Sequence, residues 1–137
     1  MVANALEVPI GSATHENANI LVFDGSQARM QTISENYDEW AGLAIYANYE
    51  NQRMIYTRSG YKTVYRFHGY AQTFVTTGRG ANGTRALTVH ELGHALGYVG
   101  HTPNPTDVMF YRLQWGADGT LSQDEITHLR QIYRIFR

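Results

Sequence analysis

TRALTVHELGHALGYVGHTPNPTDVM, residues 84–109, is the stretch on which the reading of this chain turns. It contains His90-Glu91-Leu92-Gly93-His94, an HExxH sequence with Leu87, Leu92, Ala95 and Leu96 available to pack an amphipathic helix. On a helix, residues i and i+4 face the same way, so two imidazoles reach one metal ion. Glu91 follows the first histidine and leans toward the side where a coordination position stays open, within reach of a water that it can deprotonate. Chance alone produces HExxH in on the order of one chain in a few hundred of this length. The helical setting and the sheet-like segments before it argue against accident. Zinc with one open position needs a third protein ligand. Gly97 can stop the helix and bend the chain, which brings His101 back toward the pair. His101 lies too far along the chain for a single helical turn, so the bend is required.

Working outward, the spacing predicts a helix over 84–98, preceded by a glycine-rich loop over Gly78–Gly83. Further upstream, LAIYANY, RMIYTR, TVYRF and YAQTFVTT between Leu43 and Thr77 are rich in Tyr, Phe, Val, Ile and Thr, as strands are. Asn19–Phe23 is a short apolar run before Asp24-Gly25 and is read as another strand. Met30, Ile33, Tyr37 and Trp40 recur at helical spacing, which predicts a helix near 26–41 capped by Asp24 or Ser26 and ended by Gly42. Residues 100–120 look irregular. The closing LSQDEITHLRQIYRIF has a Ser122–Glu125 capping box and an apolar stripe of Ile126, Leu129, Tyr133 and Phe136. The expected class is α+β. A twisted mixed sheet of about four strands accompanies an N-terminal helix, a helix bearing HExxH and a C-terminal helix. A single domain over 19–137 follows a flexible arm over 1–18.

Composition narrows the chemistry. The chain has 137 residues, a formal net charge of −1, six histidines and no cysteine. The length suits one domain. The missing cysteine excludes disulfides, thiolate-ligated zinc, iron–sulfur clusters and a thiol nucleophile. Near-neutral charge offers nothing to nucleic acid. The longest attractive uncharged stretch, Trp40 to Tyr49, is about half the roughly 20 residues that a membrane helix needs. No secretory signal is visible in MVANALEVPIGSATHENAN, which lacks a basic and then an apolar region. No membrane partner is expected, and a monomer is.

HELGHALGYVGHTPNPTDVM resembles the zinc-binding segment of the metzincin metallopeptidases, most closely the matrixin (matrix metalloproteinase) branch, whose pattern is HExxHxxGxxH followed by a methionine turn. LSQDEITHLRQIY resembles that family's closing helix. The likeness runs over about residues 19–136 and is motif-grade from 84 to 136. It implies one catalytic zinc held by His90, His94 and His101, with Glu91 as general base, Gly97 as the bend and Met109 as the floor beneath the metal. It implies hydrolysis of internal peptide bonds through a zinc-activated water, on a protein or peptide substrate extended along the sheet's edge strand at Tyr70–Thr76. It also implies a mature secreted form. The chain departs from the pattern in having three residues, Tyr98, Val99 and Gly100, where the family has two. Phe110 stands where matrixins carry a tyrosine. Tyr111 stands at the offset where other metzincin branches carry one, either donating to the oxyanion or lining the specificity pocket. Vertebrate matrixins hold a structural zinc before the active helix. Here that region offers only His68, with no Asp between Asp38 and Asp107, so no structural zinc or calcium is expected. With no cysteine to block zinc, the arm has Glu7, His15 or Glu16 to offer, against the plainer reading of a tail.

Two other readings stand beside this one. In a gluzincin-type peptidase a glutamate from a later helix is the third ligand, and Glu125 is the candidate, although helix capping already accounts for it. In the other, the chain is a zinc-dependent, partner-specific binding or toxin-like protein.

Overall fold

Ile20, Leu21, Val22 and Phe23 open β1 (Ile20–Gly25), and Ser26 then starts α1 (Gln27–Ile33). Ser26, not Asp24, is the cap. Its hydroxyl accepts from Arg29 N at 3.3 Å and its carbonyl from Met30 N at 3.0 Å. The protein is seen in a computed structural model that describes residues 12–14, 16, 18–33, 42–46, 52–57, 60–65 and 71–134. Tyr37, Trp40, His15, His68, Tyr70 and Phe136, and all but a few residues of the 1–18 arm, lie outside them. Met30 is fully buried against Phe74, with Phe23 packed beside it. The Phe23 and Phe74 rings stack 5.2 Å apart. Burying one such side chain contributes roughly 1.5–3 kcal/mol.

Four more strands follow: β2 (Gly42–Tyr46), β3 (Gln52–Thr57), β4 (Gly60–Tyr65) and β5 (Ala71–Thr76). They do not form the expected single sheet of about four strands. β1, β5 and β2 make one mixed sheet in that order, while β3 and β4 pair only with each other among the described residues. The separation has a physical origin. β3 and β4 meet with Thr57 opposite Gly60, so they close a very short loop at small entropic cost and satisfy each other locally. β5 instead takes distant partners: β1 in parallel, with Ile20 opposite Ala71, and β2 antiparallel, with Gly42 opposite Val75. Thr73 reinforces the pairing by donating its hydroxyl to the Leu21 carbonyl at 3.2 Å.

This topology corrects the expected docking strand. Of Tyr70–Thr76, the described part Ala71–Thr76 is β5, whose backbone is paired on both sides, so it offers no free edge to an extended peptide. The strand that combines a place beside the active helix with an unpaired side among the described residues is β2.

The HExxH helix, α2 (Gly80–Ala95), starts earlier and stops sooner than 84–98. Gly80 and Gly83, expected in a loop, form its first turn, with Gly80 entering at φ +73°. This turn forms despite poor helix propensity and lies at the exposed end of α2, whose buried residues begin at Ala86. Ala86, Leu87, Val89, His90, Glu91, Gly93 and Ala95 are all buried. They spread over more than one face, so α2 is an embedded helix and not the one-sided amphipathic helix expected. Residues 100–120 are irregular as expected, and α3 (Gln123–Arg134) closes the fold. Leu129 on α3 packs with Leu96, Tyr98 and Met109 into one buried cluster, flanked by Ile20, Leu121 and Ile132. No helix among the described residues is long and apolar enough to cross a membrane.

Candidate metal centre

The end of α2 is where the site is assembled. Gly97 N donates to His94 O and Tyr98 N to Gly93 O, each at 2.9 Å, while Gly97 takes φ +103°. These two bonds are a Schellman stop with glycine in its left-handed position, as Gly97 was expected to provide. Gly100 then takes φ +78° with open space around it. This second left-handed residue absorbs the additional position between Gly97 and His101, and the chain still returns.

The return brings three imidazoles together. The ligand nitrogens of His90, His94 and His101 lie within 4.8 Å of one another. The His101 ring stacks on His90, centroids 5.3 Å apart, and meets His94 nearly at right angles at 5.0 Å. Two rings are held from behind by backbone carbonyls. His90 Nδ1 bonds the Val108 carbonyl at 2.6 Å, and His94 Nδ1 bonds the Tyr98 carbonyl at 2.8 Å. A carbonyl only accepts, so both Nδ1 atoms carry the proton and both Nε2 atoms keep bare lone pairs. Those two Nε2 atoms are 3.2 Å apart. Two acceptors at that distance repel unless a cation lies between them. A tetrahedral zinc with nitrogens at about 2.0–2.1 Å sets its ligands roughly 3.3 Å apart, so the donor set fits zinc. His90 is itself unsuited to a proton. Burial, with help from His94 and His101, lowers its pKa to about 4 despite the Val108 bond.

Beneath the ligands, the loop after His101 is braced at several points. Buried Asp107 accepts from the Thr102 hydroxyl at 2.9 Å and the Asn104 amide at 3.1 Å. Thr102 N donates to Met109 O at 3.0 Å. Met109 is fully buried, and its Sδ occupies the space that a Cβ on Gly93 would need. The glycine inside HELGH therefore lets the methionine rise against α2 between the two ligand histidines.

Glu125 is placed differently from the gluzincin-type reading, which is corrected here. Its Oε1 accepts from Met109 N at 2.6 Å and its Oε2 from Ser122 N at 2.7 Å. Ser122 Oγ accepts from Glu125 N at 3.3 Å, completing the capping box. Both carboxylate oxygens are committed to backbone, 1 % of the residue is exposed, and His101 completes the ligand group instead. His101→Ala is expected to lower zinc affinity on the order of 100-fold or more, beyond what loss of a supporting residue costs. Zinc titration by competition with a chelating dye checks this, and parental affinity would return the third position to another group.

Glu91, next to His90 on α2, is buried, and burial raises its pKa to about 8. Its carboxylate fills the place where a Cβ on Gly42 of β2 would stand. Tyr111 is 64 % exposed with its ring tilted on Phe110, centroids 4.6 Å apart. Sequence reasoning missed the two carbonyl braces at Val108 and Tyr98, the Glu125–Met109 link, and the glycines at 42 and 93. A signal existed only for Glu125, through its capping box, and for Gly93, inside the motif.

A helix-borne histidine pair and a third histidine from a returning loop, with a methionine packed against the helix that carries the pair, form a candidate metal centre built on HExxH. The matrixin family model matches residues 5–134, so the chain belongs to the matrixins, which are zinc-dependent metallopeptidases with the metzincin fold. No curated protein and no solved structure matches the chain significantly.

Proposed function

We propose that the protein is a zinc endopeptidase that hydrolyses internal peptide bonds with Glu91 as general base. The observation that carries this is the convergence of His90, His94 and His101 within 4.8 Å in a chain of the matrixin family. His90, His94 and His101 would hold the ion. When bound, zinc supplies a Lewis acid that polarises a carbonyl and acidifies water. Glu91 takes a proton from the attacking water and passes it to the leaving amine as the C–N bond breaks. The substrate extends along the side of β2 that is unpaired among the described residues, pairing its backbone with the strand in the manner of β-augmentation. A secreted, mature form accords with this activity.

Metal analysis together with anomalous scattering at the zinc edge tests the reading. One zinc per chain at the three histidines, and casein or gelatin cleavage that a chelator stops and zinc restores, are the expected results. Purified protein without zinc at these residues would sink it.

We assign Tyr111 to the wall of the cleft on the strength of its exposure and its packing on Phe110. Tyr111→Phe is accordingly expected to leave kcat within about threefold. An oxyanion donor would instead lose roughly 10- to 1000-fold, so a fall in that range transfers the residue to the reaction itself.

A further inference from the structure

We propose that Gly42 is a positioning residue for this reaction: the side chain it lacks is the space in which the Glu91 carboxylate is held. The inference rests on Glu91 as general base and goes beyond it, by naming what aims that carboxylate. Gly42 is the first residue of β2 and lies opposite Val75 of the central strand. A Cβ placed on it would overlap Glu91 Oε1 and fall 2.6 Å from Cγ and 2.7 Å from Cδ. These separations are shorter than non-bonded atoms tolerate, and they involve the stem of the side chain as well as its tip. Glu91 has little room to retreat, being 5 % exposed on a helix packed against β2 and β5.

The glycine is not explained by its backbone. Gly42 is absent from the positive-φ glycines, which are 78, 80, 97, 100, 116 and 119, so its strand conformation is open to any residue. A strand glycine costs about 0.5–1 kcal/mol relative to alanine, and one in a strand often marks a close approach by another group. Here that group is the catalytic carboxylate. Gly42 and Gly93 thus act alike on opposite sides of α2, one making room for Glu91 and the other for Met109.

The test is a cycle of Gly42→Ala, Glu91→Ala and the double variant, read by thermal unfolding and by steady-state cleavage of a fluorogenic peptide. Gly42→Ala is expected to lower kcat on the order of 100-fold, as a displacement of about 1 Å does. KM and zinc stoichiometry stay at parental values, because the imidazoles are braced by Val108 and Tyr98 and edge pairing uses backbone groups. Gly42→Ala is also expected to lower Tm when Glu91 is present and not when residue 91 is alanine. If Gly42→Ala alone fails to fold, folding of the double variant still supports the contact. Parental kcat in Gly42→Ala overturns the proposal, as does an equal Tm loss, or a failure to fold, in both backgrounds. Retained cleavage by Glu91→Ala removes the general base and this proposal together. Parental kcat in Gly42→Ala beside an inactive Glu91→Ala removes this proposal alone.

Discussion

Glu91→Ala is expected to bind zinc as the parent does and to cleave casein or gelatin about 10²–10⁴-fold more slowly. The two halves of that result have separate causes. Metal retention follows from His90 and His94, whose Nδ1 atoms are fixed by the Val108 and Tyr98 carbonyls and whose Nε2 atoms stay bare whatever occupies position 91. Loss of turnover follows from removing the buried carboxyl next to His90 on α2, the group that would carry the proton between water and amine. Substituting alanine also relieves the burial of an ionisable group, so the metal-free variant should be no less stable than the parent. The measurements are zinc content per chain and initial cleavage rates at equal zinc occupancy. Cleavage at the parental rate would end the general-base assignment.

Glu125→Ala is expected to be the most damaging single substitution for stability, at about 3–5 kcal/mol. The carboxylate is 1 % exposed and its oxygens accept from Met109 N and Ser122 N. Removing it leaves two amides without their acceptor at about 1–3 kcal/mol each, one of them the Ser122 half of the capping box. For a domain of this size the melting temperature should drop on the order of 10 °C. Glu125→Gln keeps one carbonyl-type acceptor and should lose less. Thermal unfolding of the metal-free variants reads both. A loss under about 1 kcal/mol in Glu125→Ala would mean that water substitutes for the carboxylate at the methionine turn.

The histidine pair was legible because helical periodicity alone puts positions 90 and 94 on one side, and Glu91 came with them. His101 was legible through Gly97, since a left-handed stop is one of the few backbone events that a single residue announces. The supports behind these residues were not legible. The Val108 and Tyr98 carbonyls belong to every amino acid equally, so nothing in the sequence distinguishes them as braces. Gly42 reads as a helix stop until the sheet brings it against Glu91. Strand identity was clear from the Tyr, Val, Ile and Thr content, but pairing was not. Local composition cannot say that Ala71 will find Ile20 rather than a neighbour. That one long-range choice makes β5 central and leaves β1 and β2 as the outer strands among the described residues. Helix ends shifted as well: α2 begins with Gly80 and Gly83 against their intrinsic preference, which composition alone reads as a loop.

The Glu125 link to Met109 has a consequence for the order in which the molecule can mature. All three histidines lie before Thr102, whereas the carboxylate that fastens the turn beneath them lies in the closing helix. A nascent chain leaves the ribosome N-terminus first. It therefore presents every ligand well before it can fasten the turn below them. An incomplete chain ending before Ser122 carries the whole HExxH motif and His101 but lacks the clamp under them. The turn is thus fastened only once the last helix has been made and has docked.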